Sequence, residues 1–300
     1  MNRILKSIIN KQRRDFEQLA SSRHIPEKSM EGVRQARGIR YKQDGDPAHV
    51  MDMFIPNTVK IPTPVVINIH GGGLIMGNKE FNRHFCINLC KMGFIVFSIE
   101  YRLCPEVTVF QQLEDIYAAM NYIDGLMPQL KAELGHCYMV GDSAGGQLNF
   151  QLLTLVSNPS FAALFPFKAP EGFKVRACGL NCGCYFIPLS RFVTPQRMGA
   201  LFDALMPEDY MTYVPQLKAH KYLTKDFPAA FVMTFQHDYL KMMAAPAHRK
   251  LKKAGAESIL KIYGDRKDKQ FGHVFHLRIR HPLAKEVNDA QCAFFREHMV

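Results

Sequence analysis

No run of about 18 apolar residues occurs in the 300-residue chain, so the sequence offers no membrane-spanning helix. Its longest apolar stretches, such as Phe94 to Ile99, have the length of buried strands. Cysteine is sparse. Eight in 300 residues are too few for a disulfide scaffold. Several, such as Cys137 and Cys178, sit in apolar strand-like runs where a thiol behaves as a small hydrophobe. That usage is expected of a cytoplasmic protein. A secretory signal is not expected either. The start, Met1-Asn2-Arg3, has only a short apolar patch before Lys11, Arg13 and Arg14, with no small-residue cleavage site. Glycine (20) and proline (17) stay near average usage, which excludes a collagen, a low-complexity array and a disordered tail protein. Acidic residues are the scarcer charge, 27 against 38 basic, for a net charge of +11. A basic protein steers anionic partners. No basic stretch carries the interleaved aromatics of a nucleic-acid module, so no nucleic-acid partner is expected. The densest run, Arg249, Lys250, Lys252 and Lys253, reads as the exposed face of a helix ending at Gly255.

What is present is alternation. Strand-like runs fall at Val33–Tyr41, Val50–Ile55, Pro64–His70, Phe94–Tyr101, Cys137–Val140, Lys174–Cys184, Ala229–Phe235 and Ser258–Tyr263. Helical stretches at Glu80–Met92, Gln111–Leu126, Gly145–Leu155, Ala244–Ala254 and Pro282–Met299 interleave with the later ones. Continuous apolar strands alternating with helices predict an α/β fold with a mostly parallel sheet, preceded by a hairpin or meander. Two regions stand outside this rhythm. Residues 1–32 carry an amphipathic helix with Ile4, Leu5, Ile8, Ile9, Phe16 and Leu19 at helical spacing. It is expected to pack on its own protein as part of a cap, rather than on a membrane. Residues 186–227 carry Pro188, Pro195, Pro207 and Pro215 around a helix-like piece, Pro195–Leu205. That is too long for a simple connection and reads as a cap or lid insertion in a catalytic domain spanning 33–300.

Chemistry concentrates in two glycine-rich stretches. Gly141-Asp142-Ser143-Ala144-Gly145-Gly146 follows an apolar strand and opens a helix. A serine at a sharp strand-to-helix turn needs small neighbours two positions away, and Gly141 and Gly145 supply them. The helix start behind Ser143 adds positive potential for a developing oxyanion. His70-Gly71-Gly72-Gly73 follows the strand ending at Ile69. Three successive glycines let backbone N–H groups approach a ligand unobstructed. His70 precedes that loop and is expected to brace it. Cys178, Cys182 and Cys184 form the tightest cysteine cluster, which strand alternation would place on one face. Lacking a fourth ligand nearby, it is not read as a metal site.

With Tyr101-Arg102-Leu103-Cys104-Pro105-Glu106 and Leu113-Glu114-Asp115 between them, these stretches occur in a familiar order. The chain from about Val33 onward resembles the hormone-sensitive-lipase-like branch of the α/β-hydrolases. The resemblance implies an α/β-hydrolase fold and a Ser, Asp, His triad in that chain order. Ser143 is then the nucleophile. Asp238, followed two residues later by Leu240, is the acid, and His273 of His273-Val274-Phe275 is the base. Asp265 and Asp268 are weaker rivals for the acid, and His276 for the base. The resemblance also implies an oxyanion hole from the N–H groups of Gly72, Gly73 and Ala144. It implies no metal and no organic cofactor. Three positions depart from the family pattern: Leu74 in place of an aromatic, Glu100 in place of Asp, and Met242 in place of an acid. The expected activity is hydrolysis of short-chain acyl esters through an acyl-enzyme. Deacetylation of acetylated sugars or metabolites and amide cleavage use the same chemistry. A non-catalytic ligand-binding protein of the same fold is the reading from a different class. Oligomeric state is not legible here.

Overall fold

Alternate residues of an apolar strand face opposite sides, so such strands need a covering layer on each face of their sheet. The computed structural model describes residues 3–21, 30–58, 63–130, 132–167, 174–186, 210–267 and 270–299. Eight strands form one sheet: β1 (Val33–Arg40), β2 (Val50–Pro56), β3 (Thr63–Ile69), β4 (Ile95–Ile99), β5 (Ala132–Asp142), β6 (Val175–Asn181), β7 (Ala229–Phe235) and β8 (Ser258–Tyr263). Their spatial order is β1-β2-β4-β3-β5-β6-β7-β8. The β1–β2 and β2–β4 pairs are antiparallel; β4–β3 and every pair beyond it are parallel. The early meander and the later parallel sheet agree with the reading of the sequence.

The helices are α1 (Arg3–Ser21), α2 (Arg83–Lys91), α3 (Val109–Leu130), α4 (Ala144–Ser157), α5 (Pro159–Ala162), α6 (Val214–Leu217), α7 (Lys241–Lys253) and α8 (Pro282–Glu297). Val65, Ile67 and Ile69 of β3 join Ile116 of α3, Leu148 of α4 and Leu251 of α7 in one core. Val66 faces the other way and joins Phe85 and Leu89 of α2 with Val287 and Phe295 of α8. Arg249, Lys250, Lys252 and Lys253 lie on the exposed side of α7, and Gly255, at φ +85°, turns the chain out of it.

Three of the boundaries that differ from expectation show why. β5 begins at Ala132, which pairs with Thr63, well before the expected Cys137. α3 continues to Leu130 with Pro128 inside it, because Pro128 sits on the exposed side next to the helix end, where one lost backbone bond costs little. β6 stops at Asn181 because Cys182 adopts φ +51°. That turn corrects the single-face reading of the cysteines. Cys178 enters one core, Cys182 the other, and Cys184 is half-buried.

α1 packs on the body of the protein, but not by the whole expected stripe. Ile9 is buried, Arg13 reaches the carbonyl oxygens of Ile75 (2.7 Å) and Cys104 (2.8 Å), and Phe16 meets Phe81 with ring centroids 4.4 Å apart. Ile4 and Ile8 face outward. The buried face follows i, i+4, i+7 from Ile9, centred on an arginine whose guanidinium is paired. The helix expected over Pro195–Leu205, with Pro188 and Pro207, lies outside the described residues. From Tyr210 the chain makes a 3-10 turn and then α6, with Pro215 in its first turn and Leu217 buried.

Candidate active site

In a parallel sheet the loops leaving the carboxyl ends of the strands gather along one edge. Here β3 leads into His70–Gly77, β5 into Ser143, β7 into Asp238, and β8 into the segment carrying His273. Ser143 sits between β5 and α4 at φ +54°, ψ −117°. The turn is held by its own N–H, which donates to the Asn181 carbonyl at 2.9 Å, and by its carbonyl, which accepts from Gln147 at 3.1 Å. It admits no side chain at Gly145, where a Cβ would fall 2.1 Å from the carbonyl oxygen of Ile69. Leu74, Ser143, Cys182 and Val274 are the non-glycine residues with positive φ among the described residues. Each lies in a loop of this edge, so backbone strain collects where the candidate side chains are aimed.

The three residues implied by the resemblance come together. The His273 ring lies between Ser143 and Asp238, with Nε2 2.8 Å from the serine Oγ and Nδ1 2.9 Å from Asp238 Oδ1. Asp238 also accepts from the Leu240 N–H at 2.8 Å and the Thr234 hydroxyl at 3.2 Å. Burial pushes its carboxyl up, but the hydrogen bond and charge of His273, with Cys182 and the Leu240 N–H, outweigh this and hold it below the usual carboxylate value. An ionised Asp238 accepts the Nδ1–H and leaves Nε2 with a lone pair toward the serine hydroxyl. An imidazole so placed can take the hydroxyl proton.

The rivals stand elsewhere. Asp265 is exposed and accepts from the Lys267 N–H, and Asp268 lies outside the described residues. His276 is fully buried, edge-on to Phe85 at 5.3 Å between centroids. Burial drives its pKa down to about 3, so it stays neutral and away from the serine.

The glycine loop turns beside Ser143. Gly72 has φ +127°, and a Cβ there would sit 2.0 Å from the Met76 carbonyl oxygen. Among the described residues the N–H groups of Gly72 and Gly73 have no backbone acceptor, and that of Ala144 opens α4. His70 is buried, its Nδ1–H donates to the Gly71 carbonyl at 2.8 Å, and its ring stacks on Tyr101 at 4.2 Å. It thus braces the loop as expected. Glu100 fixes the far end by accepting from the Lys79 N–H at 2.9 Å. Leu74 packs into the core, and its carbonyl accepts from Gln112 and Cys104.

Three neighbours of Asp238 and His273 were not read from the sequence as part of the site, although Cys182 stood out there as one of a cysteine cluster. Thr234 and Cys182 face Asp238, and Tyr239 covers the His273 ring at 4.4 Å. The one usable signal was Tyr239's place next to Asp238. Cys182, Asp238 and His273 offer three donor atoms within 4.8 Å of one another, a possible cation cradle. The donor set fits a metal poorly. Both His273 nitrogens are already hydrogen-bonded, to Asp238 and Ser143, and burial and the Asp238 charge push the Cys182 thiol well above its ordinary pKa. A separate cavity of about 290 Å³, lined by Phe110, Leu164, Phe165, Tyr213 and others, involves none of these residues.

A sequence profile described as alpha/beta hydrolase fold matches residues 66–277. The chain belongs to that family, in its hormone-sensitive-lipase-like branch. Among curated proteins, esterase LipI of Mycobacterium tuberculosis is 37% identical over 86 residues, 28% of this chain and 27% of that protein. The non-reducing polyketide synthase Preu3 of Preussia isomera is 31% identical over 141 residues, 43% of this chain and 6% of that protein. The chain thus matches about a quarter or less of the length of these two relatives. Among solved structures, esterase B from Lactobacillus rhamnosis superposes with a TM-score of 0.86 at 23% identity, covering 97% of this chain and 95% of that one. The carboxylesterase EstE1 from a metagenomic library gives 0.75 at 19%, covering 98% and 97%. At such identities these two establish the fold.

Proposed function

We propose that this chain is a serine carboxylic-ester hydrolase that cleaves short-chain acyl esters through an acyl-enzyme. The carrying observation is the unbroken line from Asp238 through His273 to Ser143, at 2.9 and 2.8 Å. Related proteins bearing the name esterase, in sequence and in structure, support the same reading.

The steps follow from the geometry. His273 Nε2 takes the Ser143 proton as Oγ attacks the ester carbonyl. Asp238 keeps the imidazole in the tautomer that can accept and then stabilises its cation. The N–H groups of Gly72, Gly73 and Ala144 receive the negative charge that develops on the carbonyl oxygen. Losing one such donor typically costs about 3 kcal/mol of transition-state stabilisation. His273 next gives its proton to the departing alcohol, and water releases the acyl group by the same steps in reverse roles. Residues 1–32 and 186–227 are proposed as a cap; of these, 1–2, 22–29 and 187–209 lie outside the described residues. The eight cysteines, all free thiols, suit a reducing compartment, and we place the protein in the cytoplasm.

The test is hydrolysis of p-nitrophenyl acetate and butyrate by the natural chain and by Ser143→Ala. The natural chain should turn over both, with the variant's kcat lower by at least about 10⁴-fold. Equal rates would remove the enzyme assignment and leave a ligand-binding protein of this fold.

A further inference from the structure

Tyr239 is a large aromatic side chain left 68% exposed directly after Asp238. Its ring lies 4.4 Å from that of His273, tilted by 41°, and its phenol group lies beside the Ser143 side chain. Proton transfer along Asp238, His273 and Ser143 needs none of this. The backbone around it is pinned. The Asp238 N–H donates to the Phe235 carbonyl at 3.0 Å, the Leu240 N–H to Asp238 Oδ1 at 2.8 Å, and the Lys241 N–H to the Asp238 carbonyl at 3.0 Å.

The chemistry of ester cleavage gives this position a meaning. His273 must hand its proton to the leaving oxygen, so the alcohol portion of a bound ester departs on the side of Ser143 where His273 lies. The carbonyl oxygen points the other way, to the glycine loop and Ala144. A side chain that packs on His273 and also touches Ser143 therefore borders the alcohol and not the acyl group. We propose that Tyr239 forms the wall of the leaving-alcohol subsite and favours esters of planar aromatic alcohols over saturated ones of equal size. The proposal rests on the reading of the chain as an ester hydrolase. An aromatic alcohol against the exposed tyrosine face gains offset or edge contact beyond its buried area, whereas a saturated ring gains the area alone. With the backbone pinned, little conformational freedom is lost on contact.

Benzyl acetate and cyclohexylmethyl acetate provide the test. They share one acyl-enzyme, are similar in size, and release alcohols of similar basicity, so the ratio of their kcat/KM values reports the alcohol side alone. The ratio is measured for the natural chain, Tyr239→Phe and Tyr239→Leu. The Phe variant, which keeps the ring, should retain a ratio favouring benzyl acetate. The Leu variant should lose that preference by about two- to tenfold. If the Leu variant lowers both values by the same factor, Tyr239 only steadies His273; if it changes neither, Tyr239 touches neither the reaction nor the alcohol; either result overturns the proposal. A natural chain that cleaves neither ester overturns the hydrolase reading and this inference with it. One that cleaves both without preferring benzyl acetate overturns this inference alone.

Discussion

Asp238 carries two duties in one carboxylate: it orients an imidazole and remains ionised while buried from water. The Leu240 N–H and the Thr234 hydroxyl hold it in place, so a neutral side chain of the same shape should fit without moving the loop. Asp238→Asn is therefore expected to fold normally. The Leu240 N–H and His273 Nδ1 share the carboxylate Oδ1, so the amide seats its carbonyl oxygen there and the bond to His273 survives, but the negative charge that stabilises the imidazolium is lost. The kcat should fall by about 10²- to 10³-fold at neutral pH, with little change in thermal midpoint. A fall of less than tenfold would show that the charge of Asp238 contributes little to the imidazolium. The acid and the base stand 35 residues apart, and the base 130 residues from the serine, so no local pattern joins them. They were legible only through chain order around a recognisable serine turn. Tyr239 was not, because a ring-on-ring contact depends on how the chain turns after β7.

At the scale of elements, the joint between α1 and the glycine loop is the most consequential contact. Arg13 donates to the Ile75 and Cys104 carbonyls and pairs with Glu106, tying a terminal helix to the segment that carries Gly72 and Gly73. Charge-assisted bonds of this kind contribute roughly 1.5–3 kcal/mol each in favourable settings, less where the partner is exposed as Glu106 is. Arg13→Ala should lower the stability by about 1–3 kcal/mol and reduce kcat/KM several-fold, as the loop gains freedom. Arg13→Lys should rescue little, since an ammonium cannot reach two carbonyls and a carboxylate in the fork geometry. The measurements are a urea melt and kcat/KM on p-nitrophenyl acetate. Lost stability with unchanged kcat/KM would make α1 a cover with no influence on the loop. The periodicity of α1 was legible, but which part of its apolar stripe faces inward was not. Arg13 decides that by finding carbonyl acceptors, and hydrophobic spacing does not register such a choice. The end of β6 shows the same limit. Alternation predicted a strand through Cys184, and one residue at positive φ ended it at Asn181.

At the scale of the whole molecule, the two cores follow from strand alternation and were the most legible feature of the chain, while its acid stability depends on a residue that periodicity treats as ordinary. His276 is packed in the second core's neighbourhood against Phe85, and among the described residues neither ring nitrogen has a hydrogen-bond partner. Burial lowers its pKa from 6.5 to about 3, and the nearby His273 adds to the effect. In the unfolded chain the same histidine binds a proton below about pH 6.5. Between about pH 6.5 and 3 the unfolded state therefore holds more protons, and stability falls as pH falls, by up to about 1.4 kcal/mol per pH unit from this group alone. His220 and His248, whose pKa values are also lowered by burial, act in the same direction. The paired carboxylates Asp115 and Asp238, held below their ordinary values, add their losses only at more acidic pH, as their own protonation range is reached. His276→Met replaces the unpaired ring with an apolar side chain, and the Asn288 bond to the residue 276 backbone carbonyl is retained. The natural chain should lose about 1–2 kcal/mol more than this variant between pH 6.5 and 5, read as the shift in urea midpoint at constant m. Parallel losses in the two proteins would mean that His276 is protonated in the folded state, and that the acid sensitivity arises from the exposed histidines or from the net charge of +11.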